Sequence, residues 1–321
     1  MRAVTCVAQS AEEPLAGLAV GESPSPTTPE GWARVTIRAA SLNHHDLWSL
    51  RGVGLAADRL PMVLGTDAAG VTEDGQEVVV HALVGDPLWD GDETLDPKRS
   101  ILSELHPGTL AEYVDVPKRN LVPKPKELSF EEASCLPTAW LTAYRMLFTQ
   151  AAVRPGDTVL VQGAGGGVAT AAIVLARAAG MTVWTTSRDE DKRKRAVDLG
   201  AHAAFESGAR LPGKVDAVIE TVGEATWSHS LRSLRPGGTC VVSGATSGPN
   251  PGADLNRVFF LQLRVVGSTM GTRAELQQLL AFMAATGVRP VIDEVFPLDE
   301  APRAFAKMAS GDVFGKLVLV P

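Results

Sequence analysis

Between Gly163 and Gly180 the chain reads GAGGGVATAAIVLARAAG, a glycine-rich turn running into an alanine-rich helix. It follows TVLVQ at 158–162, a near-continuous apolar run of the kind buried on both faces of a parallel sheet. Glycines at such a turn let the backbone approach a pyrophosphate, and the first N–H groups and positive dipole of the helix stabilise its charge. The spacing reads as G-x-x-G-x-x-A through Gly163, Gly166 and Ala169. Gly163, Gly166, Gly167 and Val168 are therefore expected to line a dinucleotide.

The end of the next strand decides which nicotinamide cofactor fits, because an acid there accepts from the ribose 2′-hydroxyl and repels a 2′-phosphate. The sequence is TVWTTSRDEDKRKR from Thr182, with no acid at the strand tip. Ser187, Arg188 and Lys192 offer a hydroxyl, a guanidinium and an ammonium, a 2′-phosphate cradle that selects NADPH. The alternative is a solvated helix start, since Asp189, Glu190 and Asp191 suit a helix N-terminus.

A second group with chemistry to offer is His44, His45 and Asp46. With an ordinary pKa of about 6.5, either histidine can donate a proton or orient a substrate. A plain surface role and proton delivery from solvent stay open beside it. His44, His45, Asp46 and Asp67 include metal-ligating types, but adjacent histidines project in different directions, and no metal is assigned. Cys6, Cys135 and Cys240 lie far apart in no C-x-x-C spacing. They build neither a disulfide framework nor a zinc knuckle, and a reducing cytoplasm suits them.

These residues need a scaffold, and 321 residues are enough for two domains. Hydrophobic residues at 45% and charged residues at 21% are globular proportions. Lys plus Arg number 30 against 37 Asp plus Glu, a net charge of −7 that argues against a nucleic-acid surface. The start lacks a signal-peptide pattern and no run of about 18 apolar residues occurs, so no membrane partner is expected. Up to about residue 122 short alternating runs such as WARVTIRAAS and QEVVVHALV, broken by Gly, Pro and Asp, predict a mainly β region. From about 124, apolar strands at 158–162, 182–186, 215–220, 239–244 and 263–268 alternate with helices, the pattern of βα units around a parallel sheet. A helix near Arg273, then a strand, a helix and a final strand, form a tail that returns to the first domain.

The blocks SLNHHDLWSLRG from Ser41, PMVLGTDAAGV from Pro61, GTLAEYVDVP from Gly108, CLPTAWLTAY from Cys135, LRPGG from Leu234 and FGKLVLVP from Phe314 flank the glycine loop in order. With them the chain resembles the medium-chain dehydrogenase/reductase superfamily, in its zinc-free quinone oxidoreductase and enoyl reductase branch. The resemblance implies an α/β fold: a Rossmann doubly wound parallel sheet at 124–271, plus a GroES-like β-rich catalytic domain from 1–123 and 272–321. It implies a catalytic cleft between the two. By this resemblance, zinc relatives use Cys, His and Cys where this chain carries Asn43, Thr66 and Thr138, a poor zinc set. The resemblance further implies catalysis at Asn43 beside His44 and His45. It places cofactor contacts at Asn43, Thr142, Thr221, Ser243, Gly244 and Lys316. The expected activity is NADPH-dependent hydride transfer to a quinone or α,β-unsaturated carbonyl, by a homodimer joined through the Rossmann sheet edge. A zinc-dependent alcohol dehydrogenase and a non-catalytic NADPH-binding protein are the alternatives.

Overall fold

The computed structural model describes residues 1–321, which divide into two compact units. The first comprises Met1–Ala139, Gly271–Ala285 and Ile292–Pro321, and the second Trp140–Met270 with Thr286–Val291. The expected boundary at 123 falls too early. Lys124 N donates to Glu77 O at 2.9 Å, continuing the strand pairing, and Ser41 Oγ donates to Ser134 O at 3.0 Å, so 124–139 is tied to the first unit. The short segment Thr286–Val291, expected in the first unit, groups with the second.

The first unit is built on a sheet in the order Leu121–Pro123, Glu77–Val80, Asp67–Thr72, Trp32–Ser41, Lys316–Val320, Ile292–Pro297, with Tyr113–Pro117 also paired to Trp32–Ser41. Val35, Ile37, Val78, Val80, Leu317 and Leu319 bury one face in a core shared with Phe296 and Phe305. The helix Ala301–Ser310 contributes Ala301, Ala304, Phe305 and Met308, the spacing of one helical face, and ends at Gly311 with φ +74°, where glycine bears no Cβ penalty. Register matters most for chemistry. Ser41 pairs with Asp67 on one side and Val318 on the other, so the stretches at 41–43, 66–67 and 316 converge.

The second unit is a parallel six-stranded sheet in the order Ala203–Phe205, Thr182–Thr186, Thr158–Gln162, Val215–Glu220, Leu234–Val242, Arg264–Gly267. In chain order this is 3-2-1-4-5-6, the doubly wound arrangement whose switch point lies between Thr158–Gln162 and Val215–Glu220. Five of the strands coincide with the apolar runs. The sixth, Ala203–Phe205, is only three residues long and carries no periodicity to read. The helix Gly167–Ala178 presses Ala169, Ala172, Ile173 and Ala176 inward, and small side chains there permit a close approach to the sheet. No helix is long and apolar enough to cross a membrane.

Candidate functional site

In the first unit the convergence produces a buried polar cluster. Lys316 is 2% exposed, and its ammonium donates to Asn43 Oδ1 at 2.6 Å, Leu42 O at 2.7 Å and Asp67 Oδ2 at 3.3 Å. Asn43 Nδ2 donates to Asp67 Oδ2 at 2.8 Å and Thr66 Oγ1 at 3.0 Å, with a longer contact to Ser41 O at 3.5 Å. Ser41 Oγ lies 2.9 Å from Asp67 Oδ2 and 3.0 Å from Ser134 O, two acceptors that share its one hydrogen, and Thr66 Oγ1 lies 3.0 Å from Thr138 Oγ1.

Two expectations change here. Lys316 has its three hydrogens satisfied inside its own unit, so it has none to offer a cofactor phosphate. Asn43 spends both amide hydrogens on protein acceptors, so it links parts of a network and presents no free donor to a substrate. Both are corrections that only the three-dimensional pairing makes visible.

The same cluster tests whether zinc fits. The meeting donors are an amide and two hydroxyls, bonded to one another, with an ammonium 2.6 Å from the amide oxygen. Zinc selects thiolate, imidazole and carboxylate, and a fixed positive charge beside the amide repels a second cation. Asp67 Oδ1 is buried without a partner, yet one carboxylate oxygen does not make a tetrahedral site, and no group of three or more His, Cys, Asp or Glu is placed to hold a metal. The residues do not fit zinc.

The helix His44–Leu50 begins at this cluster, with Asp46 Oδ2 accepting from Asn43 N at 2.8 Å and Asp46 Oδ1 from Gly65 N at 3.1 Å. Burial pushes the Asp46 carboxyl up to about 6. His44 keeps an exposed edge, while its packed surroundings, with Lys316 and Arg51 nearby, lower its pKa. His45 behaves oppositely: burial alone would lower it, but its hydrogen bond with Glu104 at 3.2 Å and the charges of Asp46, Glu104 and Asp67 raise it. Its other ring nitrogen, Nδ1, is buried with no partner. The thiol of Cys135 is pushed up to about 12 by burial and is inert.

In the second unit the glycine turn has the form expected. Gly163 has φ +81°, and its N–H and that of Ala164 donate to Thr186 O at 3.1 and 3.0 Å, while Gly166 is exposed. Gly166 caps the helix Gly167–Ala178 with no side-chain cap, so the first-turn N–H groups, including that of Val168, are free of one. A Cβ at Gly166 would meet nothing within 4 Å, so space lies open over the helix N-terminus. These features fit a dinucleotide pyrophosphate.

At the neighbouring strand end Ser187 is nearly buried and its Oγ accepts from Asp189 N at 3.2 Å, which leaves the hydroxyl hydrogen to donate. Arg188 is exposed and forms no ion pair. Asp189 turns its carboxylate to its own helix, accepting from Lys192 N at 3.0 Å, so it caps that helix while Ser187 and Arg188 remain available. Lys192 is half-buried on the first turn of the same helix. Thr142 is buried in the helix Leu141–Tyr144. Thr221 follows the strand Val215–Glu220, and Ser243 and Gly244 follow Leu234–Val242, which ends two residues before the expected 244.

Sequence reasoning missed the buried groups behind these loops. Glu220 is fully buried, and its carboxylate accepts from Val222 N at 2.8 Å, Gly223 N at 3.0 Å, Thr226 Oγ1 at 2.9 Å and Ser230 Oγ at 2.5 Å. Gln162 Nε2 joins Ser230 Oγ and His229 Nδ1, both at 2.9 Å, and Gln162 Oε1 accepts from Thr186 Oγ1 at 2.5 Å. One polar network thus underlies three strand ends. Arg193, also missed, donates to Ser187 O at 2.7 Å and steadies the tip. The only sequence signal was a set of polar residues interrupting apolar strand ends.

Comparison with known proteins agrees with this arrangement. Residues 29–126 match the alcohol dehydrogenase GroES-like domain family and residues 167–285 the zinc-binding dehydrogenase family. A zinc-type alcohol dehydrogenase-like protein of Schizosaccharomyces pombe is 32% identical over 314 residues, covering 90% of both chains. A crotonyl-CoA carboxylase/reductase of Cereibacter sphaeroides is 30% identical over 328 residues, covering 85% of this chain and 76% of the relative. The solved structure of an NAD-dependent alcohol dehydrogenase superposes with a TM-score of 0.93 at 35% identity, over 100% of both chains. A GroES-like unit and a Rossmann unit, in this order and at this similarity, mean that the chain belongs to the medium-chain dehydrogenase/reductase superfamily of oxidoreductases.

Proposed function

We propose that the protein is an NADPH-dependent reductase of quinones or α,β-unsaturated carbonyl compounds that works without catalytic zinc. The observation that carries this reading is the Lys316 ammonium 2.6 Å from Asn43 Oδ1, in a cluster whose other members are hydroxyls and one carboxylate. A carbonyl chemistry without a metal ion must rely on hydrogen-bond donors, and conjugate reduction places charge on an oxygen that such donors can stabilise. Bound NADPH supplies the hydride; Ser187 and Arg188 grip its 2′-phosphate, and the turn Gly163–Val168 its pyrophosphate. His45 or solvent returns the proton. The crotonyl-CoA carboxylase/reductase relative supports an enoyl acceptor.

A second reading, alcohol oxidation with NAD, draws on the 35% identity to the NAD-dependent alcohol dehydrogenase. Oxidation of NADPH by an enone or quinone in protein shown by elemental analysis to hold no zinc supports the first reading. Alcohol oxidation that requires stoichiometric zinc supports the second.

The working unit of this proposal is a homodimer in the cytoplasm. The strand Arg264–Gly267 pairs on one side only, leaving an open edge with Val265 45% exposed, and Phe259 and Phe260 of the adjoining helix are also exposed. A second copy of the same edge satisfies those backbone groups symmetrically. Sedimentation of Val265→Glu as a monomer, against a dimeric parent, tests it. The three cysteines are buried and free, in keeping with a reducing compartment.

A further inference from the structure

The direction of each hydrogen bond in the first-unit cluster can be worked out from its charged end. An ammonium has hydrogens and no lone pair, so the Asn43 atom 2.6 Å from Lys316 Nζ must be the carbonyl oxygen, which fixes the amide. The amide nitrogen then faces Thr66 Oγ1 at 3.0 Å as a donor. Thr66 is fully buried, and Thr138 Oγ1 at 3.0 Å is the only remaining partner for its own hydrogen. Thr66 therefore donates to Thr138. The hydrogen of Thr138 is left over at the end of the chain.

Thr138 is also the member of this chain with access to solvent, where Thr66, Asn43 and Lys316 are buried. It sits on the wide π-helical turn Leu136–Trp140, a backbone form found disproportionately at functional sites. Hydrogen bonds in series polarise one another by roughly 10–30% per bond, and this series starts at a buried positive charge. A terminal hydroxyl so arranged is a stronger donor than a threonine in isolation.

We infer that Thr138 is a catalytic hydrogen-bond donor whose hydroxyl, at the end of the chain Lys316–Asn43–Thr66, binds the substrate carbonyl oxygen as negative charge develops there. This rests on the carbonyl-reductase reading above. Hydride entry at the β carbon moves the alkene pair toward the carbonyl carbon and the carbonyl pair onto oxygen. A proton arriving at the α carbon restores the carbonyl, and Thr138 keeps its own proton throughout. Asn43 and Lys316 are positioning residues in this scheme, since they act only through the orientation of Thr66 and Thr138.

The test compares the parent with Thr138→Val, which keeps the shape and loses the hydroxyl, and Thr138→Ser, which restores it. NADPH oxidation is followed with cyclohexenone, a benzoquinone and an aliphatic aldehyde, and NADPH binding is titrated separately. Thr138→Val is expected to lower kcat about 10²-fold with an unchanged Kd for NADPH, and Thr138→Ser to recover it to within about tenfold of the parent. Parental kcat in a folded Thr138→Val protein, or a loss that Thr138→Ser does not recover, overturns the inference. Thr138→Ala is read the same way should the valine variant fail to fold. A parent active on the aldehyde alone overturns the enone reading, while the variant-to-parent ratio on the aldehyde still decides the role of Thr138. A parent that reduces none of the three overturns both.

Discussion

Lys316 and Asn43 are separated by 273 positions in sequence and by 2.6 Å in space, and their contact is enclosed by Asp67, Thr66 and Leu42. A buried amide that satisfies an ammonium, a hydroxyl and a carboxylate together is part of the structure's stability as well as its chemistry. Asn43→Ala leaves these partners unsatisfied, at a cost of about 1–3 kcal/mol each where no water enters. The expected outcome is a lowered denaturant midpoint together with a lowered kcat. Parental stability in Asn43→Ala would show that the cluster does not hold as described.

His45 and Glu104 make a pH-dependent contribution whose sign follows from their opposite shifts. The raised pKa of His45 means its share is complete below about pH 6.5 and is lost as pH rises through the folded-state value. The lowered pKa of Glu104, where burial is outweighed by the His45 and Ile101 hydrogen bonds, means its share is complete above about pH 4.5 and is lost as pH falls. Glu104→Gln should therefore destabilise most between about pH 4.5 and 6.5, by up to roughly 1 kcal/mol given partial exposure. The gap to the parent should close above pH 8. A gap that widens with alkaline pH would contradict the pairing.

The proposed NADPH reading assigns the 2′-phosphate to Arg188, an exposed arginine with no competing ion pair, beside Ser187. Arg188→Ala should weaken NADPH binding by about tenfold and leave NADH binding within twofold, as measured by titration calorimetry. Equal losses for both cofactors would place Arg188 away from the 2′-phosphate.

Glu220 lies under the loop on the opposite side of the switch point from Ser187, the side to which the proposed function assigns the nicotinamide half of the cofactor. Glu220→Ala frees Val222 N and Gly223 N, so it should weaken NADPH binding tenfold or more. Adenosine 2′,5′-bisphosphate, which lacks the nicotinamide half, should bind as before. Parallel weakening of both ligands would reduce Glu220 to general support.

The parts of this protein legible in sequence are those written in short runs. The strand, glycine turn and helix from Thr158 to Ala178 are contiguous, and each residue type there answers a local demand of backbone or phosphate. The pairing of Lys316 with Asn43 depends on the registers of Ser41 with Asp67 and with Val318, which no local pattern specifies. That is why Lys316 reads as a phosphate ligand and Asn43 as a free donor until the sheet brings them together. Glu104 answers His45 across 59 positions, and Glu220 looks like any strand-end acid until its donors are found. Polar partners distant in sequence need the fold to be identified; apolar strands do not.

The central claim is hydride transfer to a conjugated carbonyl without zinc, and it is tested most directly by one assay. Protein purified without chelators is analysed for zinc and assayed for NADPH oxidation with cyclohexenone before and after dialysis against a chelator. The account predicts substoichiometric zinc and an unchanged rate. Stoichiometric zinc, with activity that vanishes on chelation and returns when Zn²⁺ is added, would contradict it.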